Sequence, residues 1–423
     1  MIDGAALRYL LATLICGLLT TVLALGLFEL HAFRGLDVAL AMFLGRPSPP
    51  VVERGLQYLL VALFGFGIAW TTIDVDRIPL KLGIAIAALA ETMTAVGVLN
   101  LYEVYFSPFA SIVAIVAAAG VGFAYSQTAA GTRKRTLRQL LGDRVSQRSF
   151  RRMVDGRAPL KFDGEVREAT VLVCEIFNHE ELLATLRTDN YVAMTNSFLH
   201  NAADFLVEQG GYLDECDGEC LRVIFGAPLP DADHATRACQ SALDLSSRLE
   251  TVNRECVATW GKMFDYRIGI NSGDVIVAAY GSQRLGALGV SGEPVEFTRR
   301  LCSANSIYST RTLIGARTFA LAESAIEVRP MELIQRDPED PAREEIYELL
   351  TAKDRLSEPQ RARRDLYWKG VVYYREQLLE KALATFREAR DKYGADGAVD
   401  FYIRRIEQMQ RGLPSLEWST ARL

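Results

Sequence analysis

Four long apolar segments in the first third of the chain limit its fold more than any other feature of the sequence. Three of them carry no charged residue and one carries a single glutamate; they cover residues 9–28, 55–73, 82–102 and 104–132. Each is about as long as the ~20 residues that an α-helix needs to cross a bilayer. The sequence therefore predicts a membrane domain of four transmembrane helices over residues 1–132, followed by a polar remainder long enough for further domains.

The residues after the last apolar segment are strongly basic. Against two acidic residues stand ten basic ones, namely Arg133, Lys134, Arg135, Arg138, Arg144, Arg148, Arg151, Arg152, Arg157 and Lys161. Lys and Arg accumulate on the cytoplasmic side of a span, so this stretch and, with four spans, both termini are predicted to be cytoplasmic. We expect an integral protein of the cell (inner) membrane, with the basic stretch either near anionic headgroups or only setting the topology.

Composition argues against several other classes of protein. A net charge of -5 gives no reason to expect nucleic-acid binding. Seven cysteines, an odd number concentrated in the predicted cytoplasmic part, argue against a disulfide framework. Cys216 and Cys220 have a spacing found in metal sites, but no further ligands lie near them in the sequence, so we do not expect a metal there.

Glu91 is the one charged residue within the third apolar segment. An ionisable group near the middle of a span is costly and is by default a functional candidate, here for proton sensing or a polar contact between helices. The alternative that we favour is a hydrogen bond within the helix bundle, close to Thr92 and Thr94.

Beyond residue 164 the pattern alternates between strands and helices. It predicts a strand at 169–176, a helix at 190–209, a hairpin at 212–225 turned at Asp217 and Gly218, a helix at 231–254 and a strand pair at 266–279. This order predicts an α+β sandwich with helices flanking a mostly antiparallel sheet.

Four blocks within this region occur in a fixed order. They are REATVLVCEI at 167–176, GGYLDECDGE at 210–219, RIGINSGD at 267–274 and SGEPVEFTRRL at 291–301. Together they resemble the catalytic domain of the class III adenylate and guanylate cyclases. The resemblance implies a cyclase-homology domain over residues 164–352, an active site formed between two subunits, and Mg²⁺ or Mn²⁺ as cofactor if the protein is active.

The resemblance also implies a role for six positions. It assigns metal ligation to Glu175 and Glu219, purine selection to Glu215 and Gly289, and transition-state contacts to Glu296 and Arg300. Only Arg300 keeps the residue type of the family, in which Asp holds the metals, Lys contacts adenine in adenylate cyclases, and Asn orients the ribose.

Each difference changes the chemistry of the site. Glu in place of Asp moves the metal-binding oxygens by ~1.5 Å, and a misplacement of 1 Å can cost ~100-fold in rate. Glu215 accepts hydrogen bonds only, which favours guanine over adenine. Glu296 adds a negative charge beside a polyphosphate. Residues 177–180 (FNHE) replace a glycine-containing turn of the family, and we interpret His179 there as a surface residue rather than a base.

Two functions fit these residues. The favoured hypothesis is a membrane-anchored, catalytically degenerate cyclase-like signalling protein that acts through a homodimer or heterodimer, or by regulating a partner cyclase. The alternative is an active class III nucleotidyl cyclase, with GTP favoured over ATP as its substrate, that makes a 3',5'-cyclic nucleotide with two metal ions held by Glu175 and Glu219.

The segments around the cyclase-like region also have distinct patterns. Residues 29–50 resemble the opening of a CHASE-type extracellular sensor of which the rest is missing, and residues 133–163 resemble the basic helical linker of such cyclases. Residues 353–423 predict a helical C-terminal region with tetratricopeptide-like spacing. Because one repeat cannot bury a solenoid core, a helical cap on the cyclase domain is the preferred interpretation.

Overall fold

The computed structural model describes residues 4–45, 52–75, 78–126, 136–155, 164–281, 286–335 and 343–412. The described residues form two compact units, of which the first contains the apolar N-terminal helices and the second contains residues 139–153 and those from Gly164 onward. Several residues of the predicted sensor remnant (46–50) and of the basic linker (133–135 and 156–163) lie outside the described residues.

The first unit is entirely helical. Its helices are α1 (Gly4–Glu29), α2 (Arg34–Phe43), α3 (Arg54–Asp74), α4 (Ile78–Leu101) and α5 (Pro108–Ser126). In α1, α3, α4 and α5 the apolar stretch is long enough to cross a membrane, judged by length and composition. The short α2 lies in the segment that resembles the start of a sensor, and α3 packs against both α1 and α5.

Some polar contacts inside this unit join different helices, whereas others stay within one helix. The Gln57 side chain pairs with the backbone of Ser107 through two buried 3.0 Å hydrogen bonds, which join the start of α3 to the start of α5. The expected bundle-internal hydrogen bond of Glu91 is wrong for the described residues. Glu91 is exposed on α4 and none of them pairs with it, while Thr92 and Thr94 each donate to a carbonyl in their own helix.

The second unit is built on one mixed sheet. Its strands are β1 (Glu165–Ile176), β2 (Tyr212–Cys216), β3 (Cys220–Phe225), β4 (Tyr266–Gly281), β5 (Gly286–Ser291), β6 (Thr312–Ile314), β7 (Ile326–Gln335) and β8 (Arg343–Ala352). The order is β2-β3-β1-β4-β6-β8-β7, with β5 also pairing with β4, and only β4 and β6 are parallel. The predicted antiparallel character is confirmed, whereas the strand pair expected at 266–279 is one continuous strand, β4.

Helices cover the two faces of this sheet. They are α6 (136–141), α7 (Gln147–Asp155), α8 (His179–Thr185), α9 (Thr188–Leu199), α10 (Phe205–Glu208), α11 (His234–Trp260), α12 (Glu293–Tyr308), α13 (Ala316–Ala322), α14 (Glu358–Arg375), α15 (Leu379–Tyr393) and α16 (Gly397–Gln410). A single π-helical turn, His200–Asp204, joins α9 to α10. One core lies between the sheet and α9 to α11, and contains Phe198, Phe225 and Leu245.

The C-terminal helices share the core on the opposite face. Phe297 and Leu301 of α12 pack in one cluster with Met331 of β7, Phe386 of α15 and Tyr402 of α16. Helices α14 to α16 therefore form a cap on the sheet and on α12. The tetratricopeptide resemblance and the boundary at residue 353 stay predictions.

Candidate functional site

The residues assigned by resemblance come together at one end of the sheet. Glu175 lies near the end of β1, Glu215 and Glu219 lie on the β2–β3 hairpin, and Glu175 is in register with Cys220. The Ile176 amide donates to the Glu219 carbonyl over 2.8 Å, which fixes the hairpin tip against β1. The two metal positions of the resemblance are therefore adjacent.

Helix α12 crosses the sheet at very short range. A Cβ atom on Gly269 of β4 would lie 2.4 Å from the Thr298 carbonyl oxygen and 2.6 Å from the Cys302 amide nitrogen. Only glycine allows this approach of strand and helix backbones. Pro294 stands in the first turn of α12, a favourable position because its missing N–H would have no helical partner. The approach places Arg299 beside the β2–β3 hairpin.

Glu215 is held by two arginines of the same chain. Its Oε2 lies 2.7 Å from Arg222 Nη1 and 2.5 Å from Arg299 Nη2. Arg222 stands opposite Glu215 in the hairpin and also binds the buried Asp214 over 2.6 Å. The carboxylate predicted to select a purine is therefore already engaged in an internal ion-pair cluster.

Glu219 also has a basic neighbour. His179 Nε2 lies 3.5 Å from Glu219 Oε2, and His179 Nδ1 lies 3.1 Å from the Ile176 carbonyl oxygen. The imidazole thus spans the hairpin tip and the end of β1. The interpretation of His179 as a simple surface residue is incomplete, because the residue is only half-exposed and contacts two oxygens of the site.

The remaining assigned residues lie on β5 and α12. A Cβ atom on Gly289 would come within 2.7 Å of the Tyr280 ring, so the absent side chain lets Tyr280 cover this part of β5. Glu296 is exposed in the first turn of α12, and Arg300 lies one turn further along the helix and is half-buried. Both are on the helix whose Arg299 binds Glu215.

Three residues of the site were not found from the sequence as binding partners: Arg222, Arg299 and His179. Arg222 could have been found, because a hairpin turned at Asp217 and Gly218 brings Glu215 and Arg222 opposite each other. The contact of Arg299 depends on the packing of α12 against β4, which local pattern does not reveal.

The segment before the domain is also attached to this hairpin. The Leu213 amide donates to the Arg144 carbonyl over 2.9 Å, and Arg144 Nη1 donates to the Asp214 carbonyl over 3.2 Å. Arg144 lies between α6 and α7, in the predicted linker. The linker therefore contacts the strand that carries Asp214 and Glu215.

The site does not fit a pair of divalent ions. Within the described ranges no three His, Cys, Asp or Glu side chains converge as a ligand set. Two hard-oxygen donors, the Glu219 carboxylate and the Ile176 carbonyl, are instead contacted by His179. Mg²⁺ requires near-octahedral oxygen coordination, and an imidazole between these oxygens does not provide it.

Glu175 is a half-buried carboxyl that no hydrogen bond or ion pair described here neutralises. Burial raises the pKa of Glu175, His179 acts in the opposite direction, and Glu219 and Asp217 raise it further. The folded state therefore holds a proton that the unfolded chain has already lost. Stability is lost as the pH rises from the ordinary to the raised pKa of this group.

Replacing Glu175 with Gln is expected to raise the melting temperature at neutral pH, because the amide removes the cost of ionising a buried carboxyl. Below about pH 4, where the carboxyl is protonated in both states, the gain should disappear. Thermal unfolding across this pH range measures the effect. The exposed Glu180→Gln variant on α8 serves as the control, and a gain of equal size in both variants would contradict the assignment.

Part of the chain is similar to known proteins. Residues 163–308 match the family model described as the adenylate and guanylate cyclase catalytic domain. The chain is 24% identical over 165 residues to Adenylate cyclase 1 of Rhizobium meliloti (strain 1021), a match that covers 39% of this chain and 25% of that protein. It is 27% identical over 206 residues to an uncharacterized protein of Mycobacterium tuberculosis (strain ATCC 25618 / H37Rv), covering 48% and 36%.

Solved structures of cyclases overlap with the same part of the chain. The guanylyl cyclase Cya2 is 25% identical, with 46% of this chain and 98% of that chain covered at a TM-score of 0.42. The adenylyl cyclase CyaB from P. aeruginosa is 22% identical, with 46% and 100% covered at the same TM-score of 0.42. The matched region spans only 25% to 36% of the two curated relatives. Residues 163–308, with their matched family model and their four motif blocks, are therefore a domain of the adenylate and guanylate cyclase catalytic-domain family.

Proposed function

We propose that the protein is a membrane-anchored signalling protein whose cyclase domain pairs with a second cyclase domain and does not itself make a cyclic nucleotide. Class III cyclases act as dimers on nucleotide substrates and use Mg²⁺ or Mn²⁺ when active. Four apolar helices support a membrane anchor. In this proposal they cross the inner membrane, and the domain and both termini lie in the cytoplasm.

One observation carries the proposal: basic groups of the chain itself occupy the acidic site. Arg222 and Arg299 engage Glu215, and His179 engages Glu219. A nucleotide base at Glu215 would have to displace two guanidinium groups. A metal ion at Glu219 would have to displace the imidazole. Both competitors are tethered and preorganised, so they do not lose the translational freedom that a ligand loses on binding.

The negative charge of the site also disfavours the binding of a nucleoside triphosphate. The carboxylates of Glu175, Glu219 and Glu296 face a position that a triphosphate would have to enter in a working enzyme. Like charges repel more strongly once water is removed from between them. Without two metal ions to neutralise it, the triphosphate would meet a largely acidic surface.

The contact of the linker supports a regulatory role. Arg144 binds the backbone of β2 on both sides of the Leu213–Asp214 peptide bond. A shift of the linker would therefore move the strand that carries Glu215. In a dimer of cyclase domains, this movement would reach the surface at which the partner's half of an active site forms.

The full chain in lipid nanodiscs, supplied with Mn²⁺ or Mg²⁺ and with GTP or ATP, is expected to yield no more cyclic nucleotide than its Glu175→Ala variant. Two lengthened acidic side chains should place its rate at least ~100-fold below that of an active class III cyclase assayed alongside. Cyclic product that disappears in Glu175→Ala would instead establish the active GTP cyclase.

Pairing is tested separately from catalysis. The mass of the nanodisc complex reports whether two chains associate, and co-reconstitution with an active class III cyclase reports whether its rate changes. A chain that stays monomeric and leaves the rate of the second cyclase unaltered would contradict the regulatory part of the proposal.

A further inference from the structure

The second unit contains a cavity of about 460 Å³, which lies between β7, β8, α14 and α16. Four arginines line it, Arg329, Arg355, Arg363 and Arg364, together with Gln360 and Asp396. All of these residues follow the segment that matches the cyclase family, which ends at residue 308. The volume is within the usual range of small-molecule sites.

Three of the four arginines are matched by carboxylates. Arg329, buried at 8% exposure, binds Asp396 through two hydrogen bonds of 2.7 and 2.9 Å and also binds Glu348. Arg363 Nη2 shares Asp396 over 2.8 Å. Arg364 Nη1 binds the Glu327 carboxylate over 2.5 Å. These pairs hold the wall of the cavity rigid and leave little net charge on it.

Arg355 differs from the other three. It lies in the loop between β8 and α14, its side chain is exposed, and no carboxylate among the described residues pairs with it. Its guanidinium is therefore the uncompensated charge at the cavity. Because only one such charge is present, the cavity suits a ligand with a single phosphate group better than a triphosphate.

Two helices begin at the cavity. Helix α14 begins at Glu358 and α16 begins at Gly397, and Gln360 and Gly397 both line the cavity. The first turn of α16 is capped by Asp396, whose carboxylate accepts from the Ala398 amide over 3.1 Å, and α14 begins with a capping box of Ser357 and Gln360, so the donors that the cavity offers to an anion are side chains. Arg363, in the second turn of α14, offers further N–H donors on the same wall.

We propose that this cavity binds a monophosphate group, as inorganic phosphate or as a small organic phosphate ester, with Arg355 and Arg363 as its principal contacts. Guanidinium groups bind phosphate oxygens through paired, charge-assisted hydrogen bonds. The cavity is lined by residues of β7, β8, α14 and α16, so an occupied cavity would stabilise these two helices against the sheet.

Titration calorimetry on the full chain in nanodiscs tests the site, with inorganic phosphate, a nucleoside monophosphate and a nucleoside triphosphate as probes. Saturable binding of phosphate or of the monophosphate is expected, with no gain for the triphosphate. Loss of one charge-assisted contact in Arg355→Ala should weaken binding about tenfold.

Arg361→Ala is the matched control, since Arg361 lies nearby in the first turns of α14, does not line the cavity, and only approaches Glu358 at 3.6 Å. It should bind phosphate as the unaltered chain does. Absence of saturable binding by phosphate and monophosphate, or equal affinity in Arg355→Ala, would overturn the proposal. If phosphate still binds to the Arg299→Ala variant, the binding site lies away from the β2–β3 hairpin. The result of this titration is then independent of the cyclase assay.

Discussion

Replacing Arg329 with Met is expected to lower the free energy of unfolding of the second unit by about 3–5 kcal/mol. Arg329 is buried at the centre of the C-terminal core and neutralises both Glu348 and Asp396. Methionine fills much of the same volume but leaves two carboxylates in a poorly solvated place. Urea unfolding of the full chain in detergent, followed by tryptophan fluorescence, measures the change.

A surface ion pair of the same cap provides the control. Arg390 Nη1 lies 3.7 Å from Asp400 Oδ1, and both side chains are partly exposed. Replacing Arg390 with Met should change the free energy of unfolding by less than about 1 kcal/mol. Equal effects of Arg329→Met and Arg390→Met would mean that the buried network does not hold the cap to the sheet.

The apolar helices and most strands could be predicted because their patterns are local. Long apolar runs predicted α1, α3, α4 and α5, and the turn residues Asp217 and Gly218 predicted the β2–β3 hairpin. These features depend on neighbours within a few residues. The sequence alone therefore located the four long helices of the first unit, though not the short α2, and the strand that carries Glu175.

The error at β4 has a packing cause. Residues 271–274 (NSGD), within the predicted strand pair, have the composition of a turn. In the structure Gly273 lies against Pro294, whose Cγ would be 2.6 Å from an added Cβ atom. The glycine serves the contact between β4 and α12, and the strand passes through it without turning.

The sequence indicated where the carboxylates of the candidate site lie along the chain, but not which basic side chains pair with them. Its carboxylates could be placed because motif blocks fix them in the sequence. Their partners Arg299 and His179 come from α12 and α8, and only the folded arrangement brings these helices to the β2–β3 hairpin. The sequence therefore presented an acidic cluster, whereas the structure presents a cluster of ion pairs.

This difference bears on how the domain would evolve a regulatory role. A carboxylate with a basic partner in its own chain stabilises the fold without any ligand, whereas a bare catalytic carboxylate does not. Examples of carboxylates with a basic partner in the same chain are Asp214 and Glu215, which both pair with Arg222. Gly269 and Gly273 let α12 lie close to β4, so the fold holds in place the helix surface that presents Arg299 and Arg300.

Truncation of Phe386 to Ala is expected to cost about 3–5 kcal/mol and to destabilise the cyclase domain together with the C-terminal helices. Phe386 is fully buried, stacks on Tyr402 at a centroid distance of 4.9 Å, and meets Tyr367 edge-on at 5.8 Å. Because Phe297 and Leu301 of α12 belong to the same cluster, a cavity at Phe386 weakens the contact of the cap with the sheet.

Differential scanning calorimetry of the full chain distinguishes a cap from an independent repeat. If α14 to α16 are part of the cyclase core, Phe386→Ala moves one cooperative transition of the second unit to lower temperature. An independent helical repeat would instead melt in a separate transition and leave that of the cyclase sheet unchanged. Trp368→Ala on α14, where the side chain is 41% exposed, is the matched aromatic control, and it should shift the transition far less because truncating an exposed ring leaves no cavity.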